Sequence, residues 1–287
     1  MLHGYDISSY QAGIPIDKVP GDFVIIKATQ GMSYRNPDFT RAASAALTAG
    51  KLMGFYHYAA AGTAAANAAH FINVVSSYIG SGILCLDWES MQNPNYCNVQ
   101  WVSDFLRIVK EQTGVNCFVY MSKSVTRAAN WSGIADEFPL WCAQYKDMKA
   151  TGYQSAPWTD KYDFGAWDSC LIYQYSSMGF LEGWGHALDL DIAFMTPDEW
   201  RRRSTPDFSQ KEDGYRVGAY ILNDVPYGAR GESVRFLQQL LAARGFDPGG
   251  IDGIFGPKTA AALSAFQSSE LLTVCDKKKW EKLILQK

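Results

Sequence analysis

The 287-residue chain has no uninterrupted apolar stretch of about 18 to 20 residues, the length a membrane-spanning helix needs. Its first residues, Met1 to Gln11, also lack a charged segment followed by an apolar one, the layout of an export signal. Membrane insertion and ordinary export are therefore not expected, and a cytoplasmic location is. Basic residues do not predominate, with 26 Lys and Arg against 29 Asp and Glu, a net charge of -3 and the basic side chains scattered along the chain apart from the triplet Arg201-Arg202-Arg203, which suits a helix end. That is not the electrostatic footprint of a nucleic-acid binder, so nucleic acid is not an expected partner. The six cysteines (Cys85, Cys97, Cys117, Cys142, Cys170 and Cys275) stand singly, with no C-x-x-C pair and no histidine at metal-ligand spacing. Cys85, Cys117 and Cys142 lie inside apolar runs and read as small buried hydrophobes. No metal and no cofactor are expected.

What the chain does have is apolar substance, 47% hydrophobic with only 19% charged, enough for one barrel-sized domain and a smaller one. Eight runs rich in β-branched and aromatic residues read as strands: HGYDIS, DFVIIKATQG, KLMGFYHYA, GILCLDWE, NCFVYMS, PLWCAQY, CLIYQYSS and ALDLDIAF. Helical patterns fall between the early ones, at 37–49, 63–78 and 99–112; in the last, Trp101, Phe105, Ile108 and Val109 share a face. Strands alternating with helices predict an α/β fold, a parallel sheet closed into an irregular TIM-like β/α barrel with several helices shortened or lost.

Reactive groups of such a barrel belong at the C-terminal ends of its strands, where the loops form the mouth. Asp6 ends the first run, Asp87 and Glu89 end the fourth, and Asp189 and Asp191 fall in the eighth. Side chains alternate along a strand, so Asp87 and Glu89 share one face and Trp88 takes the other. Their Cα atoms then lie about 6.5 to 7 Å apart, close enough to act on one bond. Glycoside hydrolysis needs such a pair, one group protonated and one anionic or basic. Crowded carboxyls at a partly dry mouth keep one of them protonated, and the longer Glu89 is read as that acid. Tyr58, Tyr120, Trp141 and Gln174 lie at or near strand ends and serve either as a sugar-binding lining or as core. His57 falls on the face opposite Tyr58 and is read as packing against a helix.

In this order, Gly4-Tyr5-Asp6-Ile7-Ser8-Ser9-Tyr10-Gln11, the strand Phe23 to Gly31, Gly54-Phe55-Tyr56-His57-Tyr58, Leu86-Asp87-Trp88-Glu89, Leu140 to Tyr145 and Tyr173-Gln174-Tyr175-Ser176 resemble the glycoside hydrolase family 25 lysozymes, often found as phage endolysins. The resemblance covers residues 1–203. It implies an irregular β/α barrel that cleaves the bond from N-acetylmuramic acid to N-acetylglucosamine in peptidoglycan. Carried over by position, it makes Glu89 the general acid and Asp87 the acid that assists the reacting sugar. Asp6 and an aspartate of the last strand complete the cluster. Asp189 is favoured for that place, with Asp191 in the position of an asparagine and the rival candidate. Whether Asp87 attacks the sugar or orients the substrate's own acetamido group stays open.

Residues 204–222 are mostly polar and read as a linker, and 223–287 change period. Glu232 to Arg244 places Val234, Leu237, Leu240 and Leu241 on one face, and two further helices are expected at 258–268 and 277–285. Gly231 to Leu241, Gly245-Phe246, Ile251 to Thr259 and Ala265-Phe266-Gln267 resemble the peptidoglycan-binding domain type 1, with a departure after Gln267. A small all-α domain that tethers the hydrolase to bacterial peptidoglycan follows from that resemblance. A chitinase-like barrel and a non-catalytic wall-binding protein are the competing readings. An endolysin would also need a separate pore-forming protein for release.

Overall fold

Each of the eight β-branched and aromatic runs forms a strand, and the strands close on one another. In a computed structural model describing residues 1–207, 215–217, 220–222, 224–267 and 274–285, the first strands are β1 (Leu2–Ile7), β2 (Phe23–Gln30), β3 (Tyr34–Arg35) and β4 (Leu52–Tyr58). They continue with β5 (Gly82–Asp87), β6 (Phe118–Ser122), β7 (Leu140–Ala143), β8 (Ile172–Gly179) and β9 (Leu188–Ala193). The order β1-β9-β8-β7-β6-β5-β4-β2, with β1 also paired to β2, closes a barrel, and the short β3 extends the end of β2. Helices α1 (Phe39–Thr48), α2 (Ala64–Val75), α3 (Val99–Thr113), α4 (Ser132–Ala135) and α5 (Pro197–Ser204) complete this unit, Met1–Asp207.

The expected all-parallel barrel needs one correction. Strand β9 runs antiparallel to both of its neighbours, β8 and β1. Only residues 180–187 separate β8 from β9, too few for the crossover of about a dozen residues that parallel neighbours require. The mouth therefore collects the C-terminal ends of the other strands and the N-terminal half of β9, which puts Asp189 nearer the mouth than Asp191.

Alternation sorts the rest. In β5, Ile83 and Cys85 belong to the barrel interior while Leu84 and Leu86 pack outward beneath the helices. Trp88 also faces outward, stacked 5.4 Å from Trp101 of α3. Helix α3 starts where the Asn98 side chain accepts from the Trp101 backbone N–H at 3.2 Å and stops at Gly114, whose φ of 70° favours glycine. Trp101, Phe105 and Val109 are buried on its inner face, each contributing roughly 1.5–3 kcal/mol by leaving water. Below the mouth the interior is solid. Phe23, Ile25, Ile83, Phe118 and Ile172 fill it, and a Cβ on Gly4 would come within 2.4 Å of the Phe23 ring. Trp200 of α5 seals the far end, donating from Nε1 to the Met53 carbonyl at 2.9 Å and lying 4.6 Å from Phe23.

The second unit, Phe208–Lys287, has its own core. Strands β10 (Tyr215–Val217) and β11 (Tyr220–Leu222) pair with each other, as do β12 (Val225–Pro226) and β13 (Val274–Cys275). Helices α6 (Glu232–Ala243), α7 (Pro257–Gln267) and α8 (Lys277–Leu285) match the three expected ones. Val234, Leu237, Leu241, Leu263, Trp280 and Leu283 are buried between them. The short strand pairs are additions to the all-α expectation, because two or three residues are too few to show alternation. Gln238 holds the turn before α7: its Oε1 accepts from the Gly253 N–H at 2.9 Å and its Nε2 donates to Asp252 Oδ1 at 2.8 Å. Of the expected linker, 208–214, 218 and 219 lie outside the described residues, as do 268–273 of the departure after Gln267.

Candidate active site

Sequence alternation and strand direction together bring Asp6, Asp87, Glu89 and Asp189 to one cavity of about 430 Å³ at the barrel mouth. Asp6 arrives from β1, Asp87 from the last residue of β5, Glu89 from just beyond it, and Asp189 from the mouth end of β9. Tyr58, Tyr120, Trp141 and Gln174 line the same cavity, so they are lining and buried packing at once. Asp191 is different. It is 0% exposed and does not line the cavity, although it was expected to touch substrate. His57 is buried away from the cavity, held between Thr29 Oγ1 at 2.8 Å and Asn67 Oδ1 at 2.9 Å.

The floor is tied together by hydrogen bonds. Trp141 Nε1 donates to Asp191 Oδ1 at 2.8 Å, and Gln174 Nε2 donates to Asp6 Oδ2 at 2.5 Å. The Gln174 oxygen in turn accepts from the hydroxyls of Tyr120 at 2.8 Å and Tyr145 at 2.5 Å. These bonds fix the amide orientation but leave two buried carboxyl oxygens, Asp191 Oδ2 and Asp87 Oδ1, without a partner among the described residues. Of the two residues, Asp87 lines the cavity. A buried acceptor without a donor is unfavourable by about 1–3 kcal/mol, an arrangement suited to a substrate that supplies the missing donor or positive charge.

Strand alternation also predicts neighbours that attention to acids alone overlooks. Lys27 lies two residues beyond the inward Ile25, and its Nζ reaches Gln30 Oε1 at 2.8 Å and lies 4.4 Å from the Tyr58 ring centre. Tyr56 and Tyr145 also line the cavity. The segment after Glu89 closes one side: the Tyr58 hydroxyl donates to the Met91 carbonyl and Gln30 Nε2 to Gln92 Oε1, both at 2.7 Å. Gln92 is held at φ 58°, a conformation uncommon for residues other than glycine.

Burial and crowding push this whole group of carboxyls toward the protonated form. Asp87 is raised well above the ordinary carboxylate range by desolvation and then by the Glu89 charge. Glu89 is raised by desolvation and partly restored by Lys27. Asp189 is pushed up to about 6 by desolvation and the Glu89 charge. Asp6 and Asp191 are raised by desolvation too, with Asp189 adding to both. Lys27 is lowered by burial, and the Asp87 and Glu89 charges offset part of that shift. Carboxyls crowded in this way do not all ionise together, and a pair that shares protons can divide acid and base roles at one bond.

A closed barrel with a D-x-E pair at its mouth, raised carboxyls and an aromatic lining defines a glycoside hydrolase site. The family model for glycosyl hydrolases family 25 matches residues 5–184, and the chain belongs to that family. A model for a putative peptidoglycan binding domain matches residues 230–275. The autolytic lysozyme of Clostridium acetobutylicum is 28% identical over 283 residues, covering 95% of this chain and 75% of that protein. The N,O-diacetylmuramidase of a Chalaropsis species is 32% identical over 193 residues, covering 61% of this chain and 88% of that protein. A solved bacterial lysozyme from Streptomyces coelicolor shares the fold at a TM-score of 0.59 and 23% identity, covering 71% of this chain and 96% of that one. The protein is a glycoside hydrolase with a domain of the peptidoglycan-binding kind.

Proposed function

We propose that the enzyme is an N-acetylmuramidase that cleaves the β-1,4 bond from N-acetylmuramic acid to N-acetylglucosamine in peptidoglycan, while the second unit attaches it to the wall. In this reading Glu89 donates its proton to the bridging oxygen as the bond breaks. Asp87 supplies the negative charge beside the reacting sugar, either by direct attack or by holding the acetamido group that attacks. Asp6 and Asp189 complete the electrostatic setting. The observation that carries the reading is the partnerless, buried Asp87 Oδ1 beside the half-buried Glu89, with Lys27 as the cation of the same cavity. An acetamido N–H or a developing positive charge would satisfy Asp87.

Digestion of purified peptidoglycan, followed by reduction and mass analysis of the fragments, tests the bond. Reduced muramic acid at the new ends is the expected result. Reduced glucosamine would replace the reading with a glucosaminidase, and cleavage of chitin alone would favour the chitinase-like alternative.

For the setting, we propose host lysis from within, as by a phage or prophage endolysin, with a separate pore-forming protein opening the membrane. The pairing of a hydrolase with a wall-binding module in one chain supports it. Producing the chain in a bacterial cytoplasm with and without a co-expressed pore former decides the point. Lysis by the chain alone would remove the need for that partner.

A further inference from the structure

Strand β2 breaks its alternation where it reaches the cavity. Ile25 and Lys27 face inward and Ile26 and Ala28 outward, so regular alternation would turn Thr29 in and Gln30 out. The reverse is seen. Lys27 pairs with Tyr56 of β4 and Thr29 with the very next residue, His57, which leaves Ala28 as an extra residue, a bulge. Thr29 is therefore buried against His57 on the outer face, and Gln30 lines the cavity. Two clamps hold the bulge. On the backbone, Asn36 takes the carbonyls of both Ala28 and Lys27, its N–H donating to the first at 2.9 Å and its Nδ2 to the second at 2.8 Å. On the Thr29 side chain the clamp is His57. Asn67, in the first turn of α2, donates from Nδ2 to the carbonyls of Ala61 at 3.2 Å and Thr63 at 3.0 Å, so its Oδ1 is the atom that meets His57 Nε2 at 2.9 Å. Nε2 then carries the hydrogen. Burial pushes His57 down to about 3, so the ring is neutral and its Nδ1 is an acceptor, to which the Thr29 hydroxyl donates at 2.8 Å.

Gln30 uses both ends of its amide in the cavity, accepting from Lys27 Nζ at 2.8 Å and donating to Gln92 Oε1 at 2.7 Å. The lysine is thereby bonded to a neutral partner over the Tyr58 ring, while Asp87 and Glu89 share its cavity. The same amide steadies the segment that follows Glu89. We infer that the relay Asn67–His57–Thr29 is a positioning device for the hydrolysis: it pins the Ala28 bulge from the outer face, which turns Gln30 into the cavity to hold Lys27 and the Gln92 segment beside the two acids. His57 touches no reacting group and acts through Gln30. Without the bulge, Gln30 would face the helices and Lys27 would be left to pair with the carboxylates themselves. This inference rests on the reading of Asp87 and Glu89 as the reacting pair and adds what sets the cation beside them.

The test uses the full chain with Thr29→Val, which keeps the shape and removes the hydroxyl, and Thr29→Ser, which keeps the hydroxyl. Thr29→Val should lower kcat on soluble glycan fragments by about tenfold with KM changed by less than about twofold, and Thr29→Ser should restore kcat to within about twofold of wild type. Besides each other, Asp87 and Glu89 face Asp189, Tyr56, Tyr58, Tyr120 and Lys27, with Tyr96 beside Glu89 and Cys85 beside Asp87, and Lys27 is the cation among these. The Lys27 charge lowers both carboxyls, so its displacement should move both limbs of the kcat profile to higher pH. Gln30→Leu should reproduce the loss and the shift, and adding Thr29→Val to it should change kcat by less than about twofold further, because Thr29 acts through Gln30. A purely structural role would lower the melting temperature of Thr29→Val and leave kcat and both limbs of the folded protein unchanged. That result would overturn the inference, as would additive losses in the double variant or a Thr29→Val crystal structure with Gln30 still in the cavity. Wild-type protein inert on the fragments would remove the muramidase reading instead, and the crystal structure then decides what places Gln30.

Discussion

The turn before α7 in the second unit and the mouth of the barrel hold their carboxyls in opposite ways. In the C-terminal unit, Gln238 is 1% exposed and makes bonds at both ends of its amide, and Asp252 is held below the usual carboxylate range first by that amide. In the barrel, burial holds a set of carboxyls above that range, and the orphan Asp87 oxygen has no donor. Satisfied groups fix a fold, whereas strained or incomplete ones mark where a ligand finishes the structure. The difference locates the chemistry in the barrel and leaves the second unit with attachment.

The sharpest way to break this comparison is Glu89→Gln. Loss of the proton donor should lower turnover roughly a hundredfold to ten-thousandfold while the melting temperature stays within a few degrees of wild type. An active variant would mean that another group is the acid. Deletion of 208–287 should cut activity on intact walls far more than on short soluble glycan fragments, because tethering raises the local substrate concentration only on the polymer. Equal losses on both would argue against an attachment role.

In the C-terminal unit the expected effect falls on stability. Gln238→Leu strands the buried Gly253 N–H, and should destabilise that unit by about 1–3 kcal/mol with no change in kcat on soluble fragments. Denaturant unfolding monitored at Trp280 measures it.

The smallest expected effect concerns pH. Asp189 is raised to about 6 in the folded barrel from an ordinary value of 3.8, so the folded state holds its proton more tightly than the unfolded chain. Its stabilising contribution is fully present below pH 3.8 and is lost as pH rises through about 6. Asp189→Asn should therefore flatten part of the fall in barrel stability across this window, with the slope that remains coming from the other raised carboxyls. Denaturation midpoints at several pH values would show it, and an unchanged slope would place the proton elsewhere.

Much of this was legible from residue order. The eight strands and the shared face of Asp87 and Glu89 follow from alternation, a property local to each run. Direction is not local in that sense, and the antiparallel course of β9 has its signal in the shortness of 180–187, a property of the connection. That direction also separates Asp189 from Asp191, which composition and spacing leave equivalent. Lys27 was open to the same alternation that finds the acids, but a single lysine in an apolar strand carries little signal of its own. The ion pair between Lys123 and Asp160 spans 37 positions, with no periodic pattern to join them. Only the packed structure brings its two ends together.

The plug formed by Trp200 bears on how such an enzyme can be recombined. The family match ends at residue 184, before β9 and α5, yet β9 closes the barrel and carries Asp189, and α5 stoppers its base. A fragment trimmed to the matched span would lose the strand that closes the barrel and with it Asp189 and Asp191. A chimera that exchanges the wall-binding module for another should therefore be joined after Asp207, whose backbone N–H still donates to the Gly114 carbonyl of the barrel unit.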